Sequence, residues 1–184
     1  MYLTMSTELP SLDEGLRTAA NVTIVASHYN EKYMNALLEN CLAELDEYRD
    51  IITVNVVRVP GAFEVPMMVK RSIVAPTAGN EPDAVIALGV ILRGSTAHAD
   101  LIGEAITTQL LSISCDTLVP VIHEVLLLEN EQQAFARCIA SALNRGREAA
   151  RAAISMLTVL ESQNALNSMD KRTAGVNRNS SLFF

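Results

Sequence analysis

The chain has no tryptophan and only four tyrosines and four phenylalanines, so its interior must be built from aliphatic side chains. It lacks a surplus of cations: 14 Lys and Arg stand against 21 Asp and Glu, for a net charge of −7. That balance argues against a broad nucleic-acid footprint and against a polybasic membrane surface, although a few cations can still make a local anion site. Cysteine is scarce, and Cys41, Cys115 and Cys138 form an odd, scattered set. They read as reduced core thiols rather than a disulfide frame or a metal site. No apolar run reaches the length of a membrane span, and residues 1–21 carry acids without the apolar stretch of a secretory signal. The expected location is the cytoplasm. Glycine-rich dinucleotide and nucleotide loops and the GxSxG elbow are all missing. His28 and His123 have no partners at metal-ligand spacing, so no metal is expected.

What remains is a chain of 184 residues, 49% of them hydrophobic, enough for one domain with a sizeable core. Residues 1–21 read as an N-terminal arm, 22–162 as an α/β domain, and 163–184 as a polar, mobile tail. Within the domain, β-branched apolar runs alternate with helical patterns. Strands are expected over 22–26, 51–59, 84–90 and 119–127. Met34, Leu37, Leu38, Cys41, Leu42, Leu45 and Tyr48 mark one face of a first helix at three- and four-residue steps, and Asn30 stands where a side-chain cap is expected. Further helices are expected after Pro66, over 99–114, over 131–143 and over 147–160, the last two broken near Asn144-Arg145-Gly146. The run Ala84–Val90 is apolar at every position, as a central parallel strand buried on both faces requires. Alternation of this kind predicts βαβ units with right-handed crossovers. The result is a three-layer α/β/α sandwich, flavodoxin-like, around a mainly parallel four-stranded sheet, with a possible extra strand from the arm.

Three polar segments each follow a strand: Ser27-His28-Tyr29-Asn30, Pro60-Gly61-Ala62-Phe63-Glu64-Val65-Pro66, and Arg93-Gly94-Ser95-Thr96-Ala97-His98-Ala99-Asp100. In an open parallel sheet such loops share one edge, and ligands bind there. His98 lies near a helix start beside Gly94, Ser95 and Thr96, where free N–H groups and the helix dipole suit phosphate. It serves either as a proton shuttle or as a surface cap of its own helix. Arg93 has a structural reading, an ion pair with Asp100. Glu64 either accepts from ligand hydroxyls or is an ordinary acid of a helix first turn, and residue type alone favours the second. Tyr29 stacks on a planar ring or simply packs. Arg137, Arg145, Arg147 and Arg151 read mostly as solvated cations, and one of them can reach a phosphate.

Taken together, Val57-Arg58-Val59-Pro60-Gly61-Ala62-Phe63-Glu64-Val65-Pro66 and the run from Ala84 to His98 resemble the lumazine synthase family. Looser matches follow at Glu131–Arg137 and at Asn144-Arg145-Gly146 with Glu148-Ala149-Ala150. The similarity spans about residues 22–156. It implies condensation of 5-amino-6-ribitylaminouracil with 3,4-dihydroxy-2-butanone 4-phosphate to 6,7-dimethyl-8-ribityllumazine, with loss of phosphate and water, and without cofactor or metal. It implies that Tyr29 stacks on the pyrimidine and that Ala62, Phe63 and Glu64 follow the ribityl chain. Val90, Ile91 and Leu92 would line the heterocycle, Ser95 and Thr96 hold the phosphate, and His98 moves protons. Arg137 would reach the phosphate from an adjacent subunit, and His123 stands where the family usually has an aromatic that closes the ring pocket from the next subunit. The resemblance further implies a homopentamer, either free or assembled into an icosahedral capsid, with the arm adding a strand to a neighbour's sheet.

The chain departs from the family pattern at His123, at Leu127-Leu128-Glu129-Asn130, at Ala97 and Ala99, and at Ser141, where a lysine is frequent. These changes leave His98, Glu64 and Arg137 in place. They motivate an alternative, a catalytically altered paralogue acting as a flavin- or lumazine-binding or shell protein. An unrelated flavodoxin-like binding module is a third class.

Overall fold

The structure is a computed structural model. It describes residues 9, 11 and 15–179, with side chains through residue 167. Four strands form one parallel sheet among the described residues: β1 (Ala20–Ser27), β2 (Ile52–Val59), β3 (Ala84–Leu92) and β4 (Val121–Leu128), in the order β2-β1-β3-β4. Between them run α1 (Glu31–Leu45), α2 (Val65–Val74) and α3 (His98–Thr117). After β4 come a single turn α4 (Glu131–Ala134), a π-helical turn over Phe135–Ile139, and α5 (Arg145–Asn179). The three-layer sandwich expected from the alternation is therefore present.

Period-two alternation decides which layer each strand residue joins. Val22, Ile24 and Ala26 of β1 and Ala84, Ile86, Leu88 and Val90 of β3 face α1 and α5. Val25, Val85 and Ala87 face α2 and α3, against Val65, Val69, Ile106 and Leu110. β3 is paired on both sides and covered on both faces, and Ala84 through Val90 are all buried. A strand so placed has to be continuously apolar.

Several boundaries differ from expectation. β1 opens at Ala20 rather than at residue 22, because Ala20 N–H donates to Ile51 O and extends the ladder. The arm's inner end is packed: Leu16 is buried, Arg17 N–H donates to Glu161 Oε2 at 3.0 Å, and Thr18 Oγ1 bonds the same carboxylate. The extra strand expected from the arm falls largely on residues outside those described. The helix expected over 131–143 is instead the short α4 and the π turn, ending at Ala140 in extended conformation. The domain end expected at residue 162 falls inside α5, which continues through the polar segment to Asn179.

α1 is tied to α5 by Glu44. Its Oε2 accepts from Arg147 Nε at 2.7 Å and its Oε1 from Arg151 Nε at 2.6 Å. Glu44 is itself buried. Burial pushes its carboxyl up, but hydrogen bonds and charge from Arg147 and Arg151 outweigh that and hold it below the ordinary carboxylate value. The cluster therefore adds stability at neutral pH that is lost as pH falls through the carboxylate range. Glu44→Gln removes the charge that faces two guanidinium groups, one of them a third exposed, so the expected cost is about 2 kcal/mol in urea denaturation at pH 7. It should shrink on acidification, and a cost independent of pH would contradict this account.

Candidate active site

The three loops after β1, β2 and β3 meet at the carboxyl edge of the sheet around a cavity of about 430 Å³. Its first wall is Tyr29 and Asn30. His28 N–H donates to Val59 O and Tyr29 N–H to Pro60 O, so the β1 loop is stitched to the β2 loop. Asn30 precedes α1 with φ of 59°, a left-handed conformation that asparagine tolerates better than most residues. Its side chain does not cap α1 as expected. Nδ2 instead donates to Val90 O at 2.8 Å, fixing the first loop to β3.

Gly61, Ala62 and Phe63 make the second wall. Ala62 is buried, whereas Phe63 is 65% and Tyr29 73% exposed. Two aromatic rings on a chain with few aromatics thus stand open at the cavity mouth. Glu64 does not line the cavity. Its Oε2 accepts from Gly61 N–H at 2.9 Å and closes the turn between β2 and α2, the first-turn role that residue type alone favours.

The third wall is Val90, Ile91 and Leu92 with Gly94, Thr96, His98, Ala99 and Ile102. His98 opens α3, and Ala97 before it supplies no side-chain cap. The first intrahelical bond is Leu101 N–H to Ala97 O, so the first-turn amides lie uncapped beside the cavity, an arrangement that suits an anion. Arg93 steadies this loop. It pairs with Asp100, as expected, and with Glu129 Oε1 at 3.4 Å, while its N–H donates to Leu128 O. Ser95 is exposed on the same loop without lining the cavity.

Two expected site residues are not brought to this cavity by their own chain. His123 lies opposite Ala87, well back from the strand ends, and turns toward α3. Its Nδ1 accepts from Val125 N–H at 3.1 Å, and Nε2 contacts Thr107 Oγ1 at 2.8 Å. Thr107 Oγ1 donates to Gly103 O, so Nε2 carries the proton and the ring is neutral. Burial lowers its pKa further. Arg137 lies on the π turn, half-buried, with no hydrogen bond or ion pair to a described residue. The separation follows from topology: β4 is an edge strand, and the chain after it packs into the core on the α1–α5 face through Ala134 and Cys138.

Asn30, Gly61, Gly94 and Ala99 line the cavity from the three loops expected to converge there, and Ile102 lines it from beyond them. Ile102 was legible, since it lies one turn beyond His98 on the same helix face. The cross-strand bond of Asn30 was not, because its partner is sixty residues away.

The 6,7-dimethyl-8-ribityllumazine synthase family model matches residues 19–161. The chain is 40% identical over 141 residues to 6,7-dimethyl-8-ribityllumazine synthase of Chlorobium phaeobacteroides, covering 76% of this chain and 88% of that one. It is 38% identical over 154 residues to that of Mycobacteroides abscessus, covering 83% and 92%, and 35% identical over 143 residues to that of Nitrobacter hamburgensis, covering 77% and 86%. The matched segment holds all four strands, the three loops and their cavity, and the chain belongs to the 6,7-dimethyl-8-ribityllumazine synthase family.

Proposed function

We propose that this chain condenses 5-amino-6-ribitylaminouracil with 3,4-dihydroxy-2-butanone 4-phosphate to 6,7-dimethyl-8-ribityllumazine, releasing phosphate and water, in riboflavin biosynthesis. The observation that carries the reading is the meeting of the three loops around one cavity beside the uncapped start of α3, in a chain of this family. Tyr29 stacks on the pyrimidine, Ala62 and Phe63 follow the ribityl chain on the turn that Glu64 closes, its second carboxylate oxygen left to accept from a ribityl hydroxyl, and Val90, Ile91 and Leu92 border the heterocycle. Ser95, Thr96 and the first-turn amides of α3 receive the butanone phosphate. An amine must attack a carbonyl, water must leave the adduct, and phosphate must be eliminated. Each step moves a proton between neighbouring atoms, which one imidazole at His98 can do in turn. Holding two substrates side by side supplies much of the remaining acceleration, and neutralising the departing phosphate lowers its barrier.

The site is completed by a second subunit in a pentamer, in the cytoplasm. Arg137 and His123 then act from the neighbour. An open apolar groove of about 600 Å³ between α2 and α3, lined by Phe63, Met67 and Val74, supports such an assembly, since a patch of this kind favours a partner. Light scattering that finds a monomer would remove this part of the reading. Whether pentamers close into a capsid is read from the particle mass.

The deciding experiment is product formation by purified protein given both substrates. Turnover is expected. Its absence, with lumazine binding retained, would replace the enzyme by a binding or shell protein. His98→Ala is expected to lower kcat about 100-fold with KM little changed, and an unaltered kcat would take the proton-transfer role from His98.

A further inference from the structure

At the amino ends of the strands, the edge of the sheet opposite the proposed active site, lies a second cleft of about 550 Å³, between the inner end of the arm and α5. Leu16, Leu157 and Leu160 give it apolar walls, Asp83 and Glu161 give it two carboxyl groups, and no lysine or arginine is among its lining residues. Both acids are held in place. Asp83 Oδ2 accepts from Asn21 N–H at 2.8 Å, and Glu161 accepts from Arg17 N–H and from Thr18 Oγ1. The proposed chemistry makes no use of this cleft. Nor does it use the tail. The family match ends at residue 161, yet α5 runs on to Asn179. From residue 171 onward the sequence carries Lys171, Arg172 and Arg178 without any acid, and then Leu182-Phe183-Phe184, which holds half of the chain's phenylalanines and lies outside the described residues.

We propose that Leu182-Phe183-Phe184 of one chain docks in this cleft on a second copy, with Arg178 facing Asp83 and Glu161, so that copies exchange tails. Charge and shape chemistry favour that occupant. A cationic segment ending in two aromatic rings complements an apolar cleft with two acids. The arm is the wrong sign, because residues 1–14 contain Glu8, Asp13 and Glu14 and no lysine or arginine. Reach decides that the tail comes from another chain. Helix rise places Asn179 about 28 Å beyond Leu160 along α5. Residues 180–184 span at most about 17 Å when extended, so a tail that turned straight back would stop short of its own Leu157 and Leu160. The inference is independent of the reaction proposed above.

The probe is a fluorescent peptide of residues 176–184, added to the full chain carrying Leu182→Ser, Phe183→Ser and Phe184→Ser so that no native tail competes. Saturable binding by anisotropy is expected. Ala19→Trp, at an exposed position lining the cleft, is expected to weaken it about tenfold. Asp83→Asn, which keeps an acceptor for Asn21, is expected to weaken it about threefold and to reduce its dependence on salt. No saturable binding, or binding unmoved by Ala19→Trp, overturns the proposal. A peptide of residues 1–14 that binds more tightly gives the cleft to the arm and overturns it too. Exchange between copies is read by disulfide trapping in the full chain with Ala19→Cys, Phe184→Cys and Cys115→Ser, the last of which removes the exposed native thiol. A disulfide between chains that excess tail peptide suppresses is expected. A disulfide within one chain, one between chains that the peptide leaves unchanged, or none at all overturns the exchange.

Discussion

Gly146→Ala is expected to destabilise the protein severely, by about 3 kcal/mol or more, with a fall of roughly 10 °C in Tm. Gly146 lies in the first turn of α5, where alanine has the higher helix propensity by about 1 kcal/mol. Propensity alone therefore predicts a gain. Packing predicts the reverse, because a Cβ there would stand 2.2 Å from the backbone oxygen of Leu37 and 3.1 Å from the backbone nitrogen of Cys41. Both are main-chain atoms of α1 and cannot swing aside as a side-chain tip would. The helices have to separate, and the Glu44 cluster that joins them a turn later has to stretch with them. Thermal unfolding of the single variant decides the sign. A Tm at or above that of wild type would mean that α1 and α5 approach less closely than described.

Asn144→Ala is expected to be nearly as costly, about 3 kcal/mol. Asn144 is fully buried and its amide is fully engaged. Nδ2 donates to Cys138 O at 3.0 Å and to Ala140 O at 3.3 Å, while Oδ1 accepts from Gly146 N–H at 3.0 Å and Arg147 N–H at 3.2 Å. One side chain thus caps the start of α5 and holds the end of the π turn that carries Arg137. Alanine leaves two carbonyls and two amides without partners in an interior that admits no easy substitute. Asn144→Asp keeps the acceptor and loses the donor, so its loss should be intermediate, with the damage concentrated at the π turn. Urea denaturation of the two variants checks the order. Equal costs would mean that the bonds to Cys138 and Ala140 contribute little.

The two predictions concern a segment that the sequence marked only as a break, Asn144-Arg145-Gly146. Glycine and asparagine announced that a helix stops and restarts there. They did not announce that the glycine is pressed against α1 or that the asparagine reaches back six residues to Cys138. The helix expected over 131–143 failed for the same reason. Glu131–Ala134 begins as a helix, with Asn130 Oδ1 accepting from Gln133 N–H, but Asn144 claims the carbonyls of Cys138 and Ala140. The chain then widens into a π turn and leaves the helix at Ala140.

At the site, Tyr29, Ala62, Phe63, Val90, Ile91, Leu92, Thr96 and His98 were legible because each lies in or just before a loop that follows an apolar strand. Parallel strands send all such loops to one edge, so local sequence and topology sufficed to bring them together. Glu64 was legible as a first-turn acid, and the structure gives it a backbone partner in Gly61. His123 and Arg137 were not placed by any local signal. Their positions depend on how far β4 slides along β3 and on where the chain after it crosses α1.

By itself the sequence determined the number and character of the strands, the helices that alternate with them, and the loops that carry chemistry. These follow from side-chain periodicity and from steric preferences felt within a few residues. Tertiary structure alone decided that Asn30 reaches Val90 instead of capping α1, and that His123 is held neutral against Thr107. Each of those outcomes depends on groups that are remote in sequence and adjacent only after the sheet register is set, and register is a property of paired strands that neither strand carries alone.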